Sequence, residues 1–178
     1  MITGKYPNLR LRRSRRNNWS RRLIAENNLS ASDFILPIFL TEGKNKIQSI
    51  KSMPNVNRYS INNLGGILDR AIKNKIPMVA LFPHTSIKLK NNIGSESLNE
   101  NNLVCKAIRY IKKKYKNQIG IMCDVALDPY TIHGHDGILK SSNIINDETV
   151  EILIKQSLLQ AQMGCDVLAP SDMMDGRI

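Results

Sequence analysis

Apolar positions along this chain follow two alternating rhythms, short continuous runs and helical spacing, and that alternation predicts a repeating strand–helix order. Residues 34–40 form an apolar run closed by Thr41-Glu42-Gly43, a strand followed by a turn. Ser60 is an N-cap candidate for a helix over 61–72, with Ile61, Leu64, Leu68 and Ile72 on one face. Gly65 and Gly66 weaken that helix by about 1 kcal/mol each relative to Ala. Residues 77–82 form a second strand, stopped by Pro83. Residues 99–115 follow as a helix with Leu103, Ala107, Ile108 and Ile111 inward. Its last turn, Lys112-Lys113-Lys114, suits the negative end of the helix dipole. A third strand spans 118–124, and a long loop runs from Val125 to Asn146. A helix then starts at Asp147 and carries Val150, Ile154, Leu158 and Ala161, before a fourth strand at 166–170.

Four such units predict an α/β fold with a parallel sheet. An open doubly wound sheet fits 178 residues comfortably, whereas a closed (β/α)8 barrel needs eight strands and typically ~250 residues. Periodicity by itself favours the open sheet.

Composition narrows the class. Hydrophobic residues make up 42 % of the chain, enough for a real core and too many for a disordered segment. No apolar run approaches the ~20 residues of a bilayer span, so no membrane role is expected. The three cysteines, Cys105, Cys123 and Cys165, lack CxxC spacing and fit reduced thiols in a cytoplasmic protein. The net charge of +11 is concentrated at one end: Lys5, Arg10, Arg12, Arg13, Arg15, Arg16, Arg21 and Arg22 all precede the first acid, Glu26. The basicity thus belongs to an arm, residues 1–30, and not to the face of the domain over 31–178. The arm has no secretory h-region but some transit-peptide flavour. It offers nucleic acid few aromatics, Tyr6 and Trp19, among its basic groups, which argues against that partner.

Candidate chemistry gathers where strands end. Asp124 closes the third strand, and Ser171-Asp172 lies just past the fourth. In parallel α/β folds, sites are built at the carboxyl ends of strands. Period-2 alternation puts Met122 and Asp124 on one face and Cys123, a packing residue, on the other. An inward Asp at such a position needs a cation, a donor or a substrate amine, or else serves as a cap. The following loop holds Asp128, His133, His135 and Asp136, a set that reads equally as metal ligands or as a solvated turn.

Together these residues carry a family resemblance. Asp124-Val-Ala-Leu-Asp-Pro-Tyr-Thr-x-His-Gly-His-Asp-Gly137, then Asn146-Asp-Glu-Thr-Val150, then Ala169-Pro-Ser-Asp-Met-Met-Asp-Gly-Arg-Ile178, resembles the porphobilinogen synthase (delta-aminolevulinic acid dehydratase) family. Leu36-Pro-Ile-Phe39, Thr41-Glu-Gly43, Ser52-Met-Pro54 and Trp19-Ser-Arg-Arg22 match in order. The resemblance covers essentially the whole chain and implies a TIM (β/α)8 barrel, with about the first four βα units present behind an N-terminal arm. Family members are roughly twice this long. The chain is therefore read as the N-terminal half of a longer protein, with a degraded gene or a split enzyme as the alternatives.

The implied activity is condensation of two 5-aminolevulinate molecules to porphobilinogen with loss of two waters, in tetrapyrrole and haem biosynthesis. By the same resemblance, Asp124 faces the substrate as an acid/base or ammonium-holding group, and Ser171 and Asp172 shape its pocket. The two Schiff-base lysines have no counterpart; Lys140 and Lys155 are not replacements. Zinc-dependent relatives place Cys at the positions of Ala126, Asp128 and Asp136, so a Cys-type zinc site is not expected. Mg²⁺ is implied for the full-length protein, at a site outside this chain. Asp128 and Asp136 are left to contact substrate or a monovalent ion. The arm implies a homo-oligomer of octamer type. Asn55 stands where relatives usually carry Gly, which raises the prospect of a different turn. A non-catalytic remnant or interaction module is the rival reading.

Overall fold

The structure is a computed structural model describing residues 4–171, 174 and 177. Contacts divide the chain into two units, Met1–Ser30 and Ala31–Ile178. In the first, a short helical turn at Arg13–Arg15 leads into α1 (Asn18–Leu23). The Ser20 hydroxyl donates to the Asn17 carbonyl and accepts from the Asn17 N–H, while the Arg21 guanidinium donates to the Arg15 and Arg16 carbonyls. These bonds satisfy backbone groups that so short a helix cannot pair internally.

The second unit runs β1 (Ile35–Thr41), β2 (Ile47–Ser49), β3 (Asn57–Tyr59), α2 (Leu64–Lys73), β4 (Met78–His84), α3 (Leu103–Tyr115), β5 (Gly120–Val125), β6 (Ile138–Lys140), β7 (Asn143–Ile145), α4 (Asn146–Gln162) and β8 (Val167–Pro170). Its main sheet has the order β2-β3-β1-β4-β5-β8. The strands β1, β4, β5 and β8 are parallel and stand side by side in chain order. A doubly wound sheet would reverse direction at a switch point and place helices on both faces. Here Ile38, Leu40, Val79, Leu81, Ile121 and Cys123 pack on one face against Leu64 and Leu68 of α2 and Ala107, Ile108 and Ile111 of α3. On the same side, α4 adds Leu153 against Val125 and Leu127. Successive right-handed crossovers with helices on one face wind a sheet toward a barrel, so the open-sheet expectation from periodicity is corrected.

The other face carries Pro37, Ala80, Met122 and Val167 in one row of register partners. Phe39 and Phe82 pair two residues further along, with ring centroids 5.7 Å apart. Among the described residues of this unit no helix covers them, and they are half-buried to exposed except for Ala80.

Local departures from the sequence reading have physical causes. Ser60 makes no cap bond; its hydroxyl accepts from the Lys46 N–H at 2.9 Å and ties the β2 loop down instead. Gly65 sits inside α2 close to α3: a Cβ there would lie 3.0 Å from the mobile end of Lys114, Nζ, and in ordinary contact, 3.6 Å, with the Tyr115 hydroxyl, which donates to Asp69. Strand β4 runs through Pro83, past its last pair with β5 at Leu81↔Cys123, where a missing N–H costs little. The helix expected from residue 99 begins at Leu103, with the Asn102 side chain accepting from the Cys105 N–H. Asn55 adopts φ 65°, which Asn tolerates, so the turn a glycine would make is kept. The predicted loop over 125–146 contains the β6–β7 hairpin.

The largest departure is in α4. Ile154 and Leu158 are exposed, and the buried positions are Thr149, Leu153, Gln156, Leu159 and Gln160. Accordingly, Leu153→Ala is expected to lower stability by about 2–3 kcal/mol, whereas Leu158→Ser changes it by less than about 0.5 kcal/mol. Urea denaturation of the two variants checks the assignment of faces.

Candidate active site at the strand ends

Asp124 leaves β5 on the face without helices, as the alternation with buried Cys123 requires. Its register partner is Ala169 on β8. Ser171, two residues further, shares that side of the pleat, and its N–H donates to the Val125 carbonyl at 3.3 Å. Asp124 and Ser171 therefore come off adjacent strand ends. Asp172 lies outside the described residues.

The loop after β5 folds back over this end. Asp136 Oδ1 accepts the Leu127 N–H at 2.7 Å, and the Tyr130 and Thr131 N–H groups donate to the Leu127 carbonyl. Thr131 Oγ1 donates to the His135 carbonyl at 2.8 Å. Lys90 Nζ donates to the Asp128 carbonyl at 3.4 Å. The His135 N–H donates to His133 Nδ1 at 3.1 Å, which leaves Nε2 to donate to the Asn92 carbonyl at 3.2 Å. This is an anchored loop rather than a solvated turn.

Burial and the neighbouring Asp128 and Asp136 charges push the Asp124 carboxyl up to about 6. Partial desolvation also raises Asp128, opposed by the Lys90 ammonium. Three of the five residues nominated in this segment therefore share one electrostatic field. The two histidines are engaged elsewhere. Among the described residues, no three His, Cys, Asp or Glu side chains gather as a group. Ala126 is buried and offers only a methyl group.

Sequence reasoning missed the support beneath Asp124. From α4, buried Gln160 donates to the Asp124 carbonyl at 3.0 Å and buried Gln156 to the Ala126 carbonyl at 3.2 Å. These carbonyls lie where β5 runs out of pairing, and glutamine is long enough to reach them from the helix. The Gln156–Gln160 spacing of one helical turn was the available signal. Arg177 also ties the segment together, donating to Asn146 Oδ1 at 2.6 Å and to the Asp136 carbonyl at 3.1 Å.

A parallel barrel-type sheet with an acid of raised pKa at a strand end belongs to the class of (β/α)-barrel proteins that place chemistry at the carboxyl ends of strands. The sequence pattern of the delta-aminolevulinic acid dehydratase family matches residues 8–178, and the chain belongs to that family. It is 52 % identical over 170 residues to the delta-aminolevulinic acid dehydratase of Bradyrhizobium diazoefficiens, covering 96 % of this chain and 48 % of that protein. It is 43 % identical over 169 residues to that of Chlamydia pneumoniae, covering 95 % and 51 % respectively. The fold superposes with a TM-score of 0.87 and 38 % identity on the delta-aminolevulinic acid dehydratase of Toxoplasma gondii, solved in complex with the reaction product porphobilinogen. That match covers 95 % of this chain and 48 % of the other. The chain spans about half the length of the curated relatives it matches.

A carboxyl with a raised pKa holds its proton more tightly in the folded state than in the unfolded one. Folding is therefore penalised above about pH 6, and the penalty fades as the pH falls toward the unfolded value of 3.8. Asp124→Asn is expected to raise the thermal midpoint at pH 8, by ~2–4 °C for each kcal/mol relieved, with the gain vanishing near pH 4. Thermal melts of both proteins across that range check the sign.

Proposed function

We propose that this chain forms the N-terminal half of a porphobilinogen synthase, in which two molecules of 5-aminolevulinate condense to porphobilinogen with loss of two waters. The observation that carries the reading is Asp124, a carboxyl with its pKa lifted to about 6, on the open face of the sheet beside Ser171. Such a group holds or releases a proton near neutral pH. As an anion it pairs with a substrate ammonium, and as an acid it returns the proton. Ser171 would complete the pocket wall beside it, a part that the family resemblance also implies for Asp172, and Asp128 lies within its field. Asp136 has a mainly architectural part, because its oxygen holds the Leu127 N–H.

Schiff-base formation falls to lysines that this chain does not supply: Lys140 pairs with Glu148 at 2.6 Å, and Lys155 is exposed on α4. The chain on its own is then a non-catalytic scaffold that binds and orients. The Mg²⁺ expected of this branch belongs to a site outside this chain. The arm exposes Tyr6, Leu11, Trp19, Leu23 and Leu29 among its arginines, as suits docking on another copy in a homo-oligomer. No helix among the described residues is long and apolar enough to cross a membrane, which is compatible with a cytoplasmic site of action.

The purified chain incubated with 5-aminolevulinate is expected to yield neither porphobilinogen nor a borohydride-trapped adduct. Joining it to the C-terminal half of the Bradyrhizobium relative is expected to produce porphobilinogen, and Asp124→Asn in that chimera to slow it by about 10²-fold or more. An active chimera indifferent to Asp124→Asn removes the assigned role. Porphobilinogen made by the chain alone removes the scaffold reading.

A further inference from the structure

Strand β5 loses its partner on one side just where Asp124 stands. The Gly120 N–H donates to the Pro77 carbonyl at 2.8 Å, and the register with β4 runs from Met78↔Gly120 to Leu81↔Cys123. In a parallel ladder every second residue bonds to the same neighbour, so Gly120, Met122 and Asp124 all face β4. Their carbonyls call in turn on the N–H groups of Val79, Leu81 and Pro83. A proline has no N–H to give. The ladder therefore stops one step short of Asp124, and the Asp124 carbonyl is left without its donor from β4.

Gln160 of α4 takes that place. Its Nε2 donates to the Asp124 carbonyl at 3.0 Å, although the side chain is only 2 % exposed and its Oε1 has no hydrogen-bond partner among the described residues. Gln156, one turn earlier, repeats the arrangement at the Ala126 carbonyl, 3.2 Å away, again with Oε1 unpartnered. Burying a half-satisfied amide is costly, and a leucine would fill the same space without that cost. What the amide alone provides is a donor at the backbone of Asp124. With its carbonyl held, the Asp124 peptide plane cannot tilt, and the carboxyl keeps its direction onto the helix-free face.

We propose that Gln160 is the positioning residue of Asp124, supplying from α4 the backbone bond that Pro83 withholds. Pro83 and Gln160 are then a matched pair: the proline opens the position and the glutamine closes it. The kinetic consequence rests on the role proposed above for Asp124; the structural one does not.

Pro83→Ala restores a strand N–H and so provides a rescue experiment. In the full chain, Gln160→Leu is expected to move the NMR resonance of the Asp124 carbonyl carbon upfield as the bond is lost. Gln160→Leu combined with Pro83→Ala is expected to return it, with the new amide at position 83 protected from hydrogen exchange. Gln160→Asn, too short to reach the carbonyl, is expected to act as Gln160→Leu does and replaces it where leucine prevents folding. In the chimera with the Bradyrhizobium C-terminal half, Gln160→Leu is expected to lower kcat about tenfold to a hundredfold with KM within about twofold, and Pro83→Ala to recover most of the loss. A packing role for Gln160 would be indifferent to a donor on another strand. An unmoved Asp124 carbonyl, or a loss that Pro83→Ala does not recover, overturns the proposal. A chimera indifferent to Asp124→Asn counts against the role of Asp124 instead, and the carbonyl resonance in the chain then decides the positioning by itself.

Discussion

Asp166 fixes the alignment on which the candidate site depends. It stands at the start of β8, where its carboxylate accepts the Ile121 N–H at 2.8 Å and both oxygens meet Lys112 Nζ at 2.7 Å. Its own N–H donates to the Ile121 carbonyl at 2.9 Å. Burial pushes this carboxyl up, but Lys112 and the Ile121 N–H outweigh it and hold the group below its ordinary value. The clamp sets the β5–β8 register, Met122↔Val167 and Asp124↔Ala169. Because side chains alternate, a slip of one residue would turn Ala169 and Ser171 toward the helices and leave Asp124 without its neighbour. A surface ion pair is ordinarily worth little, yet here it is coupled to two backbone hydrogen bonds, and together they decide which face Ser171 occupies.

The same register accounts for the raised pKa of Asp124. The carboxyl emerges from the open face, under a loop that its own sequence neighbours pin down. Asp136 is drawn in by the Leu127 N–H, and Asp128 stands at the start of the same turn. Gln160 and Gln156 hold the carbonyls at the end of β5 in place from behind. Each bond is an ordinary one. Their joint effect is to keep three carboxylates closer than they would choose, with the desolvated member, Asp124, taking up a proton most readily.

Much of this was legible in the residues. Alternation along β5 placed Asp124 and Cys123 on opposite faces, and short apolar runs located all four main strands. What misled was α4. Val150, Ile154 and Leu158 recur at helical spacing, but the helix turns Thr149, Gln156 and Gln160 inward. Those polar groups are needed where strand carbonyls and the Ile138 N–H lack partners, and Thr149 Oγ1 accepts from Ile138 at 2.9 Å. Hydrophobic periodicity cannot anticipate that demand, because it is set by the far end of another strand. The β6–β7 hairpin was missed for a different reason: three-residue strands are too short to show a period. Barrel or open sheet was likewise undecidable from rhythm, since both repeat strand and helix; strand order decides it, and the family motifs carry it.

Charge along the strand ends is unevenly distributed, with Glu42 a carboxylate on the basic side. Carboxylates of Asp124, Asp128 and Asp136 lie at the end of β5 and in the loop after it, while Lys46, Arg58, His84 and Lys90 gather around the ends of β1, β3 and β4. Lys90 stands at the border, donating to the Asp128 carbonyl while its charge reaches His84. A solvated surface with no ligand would gain from interleaving these signs, since like charges in one field raise each other's cost.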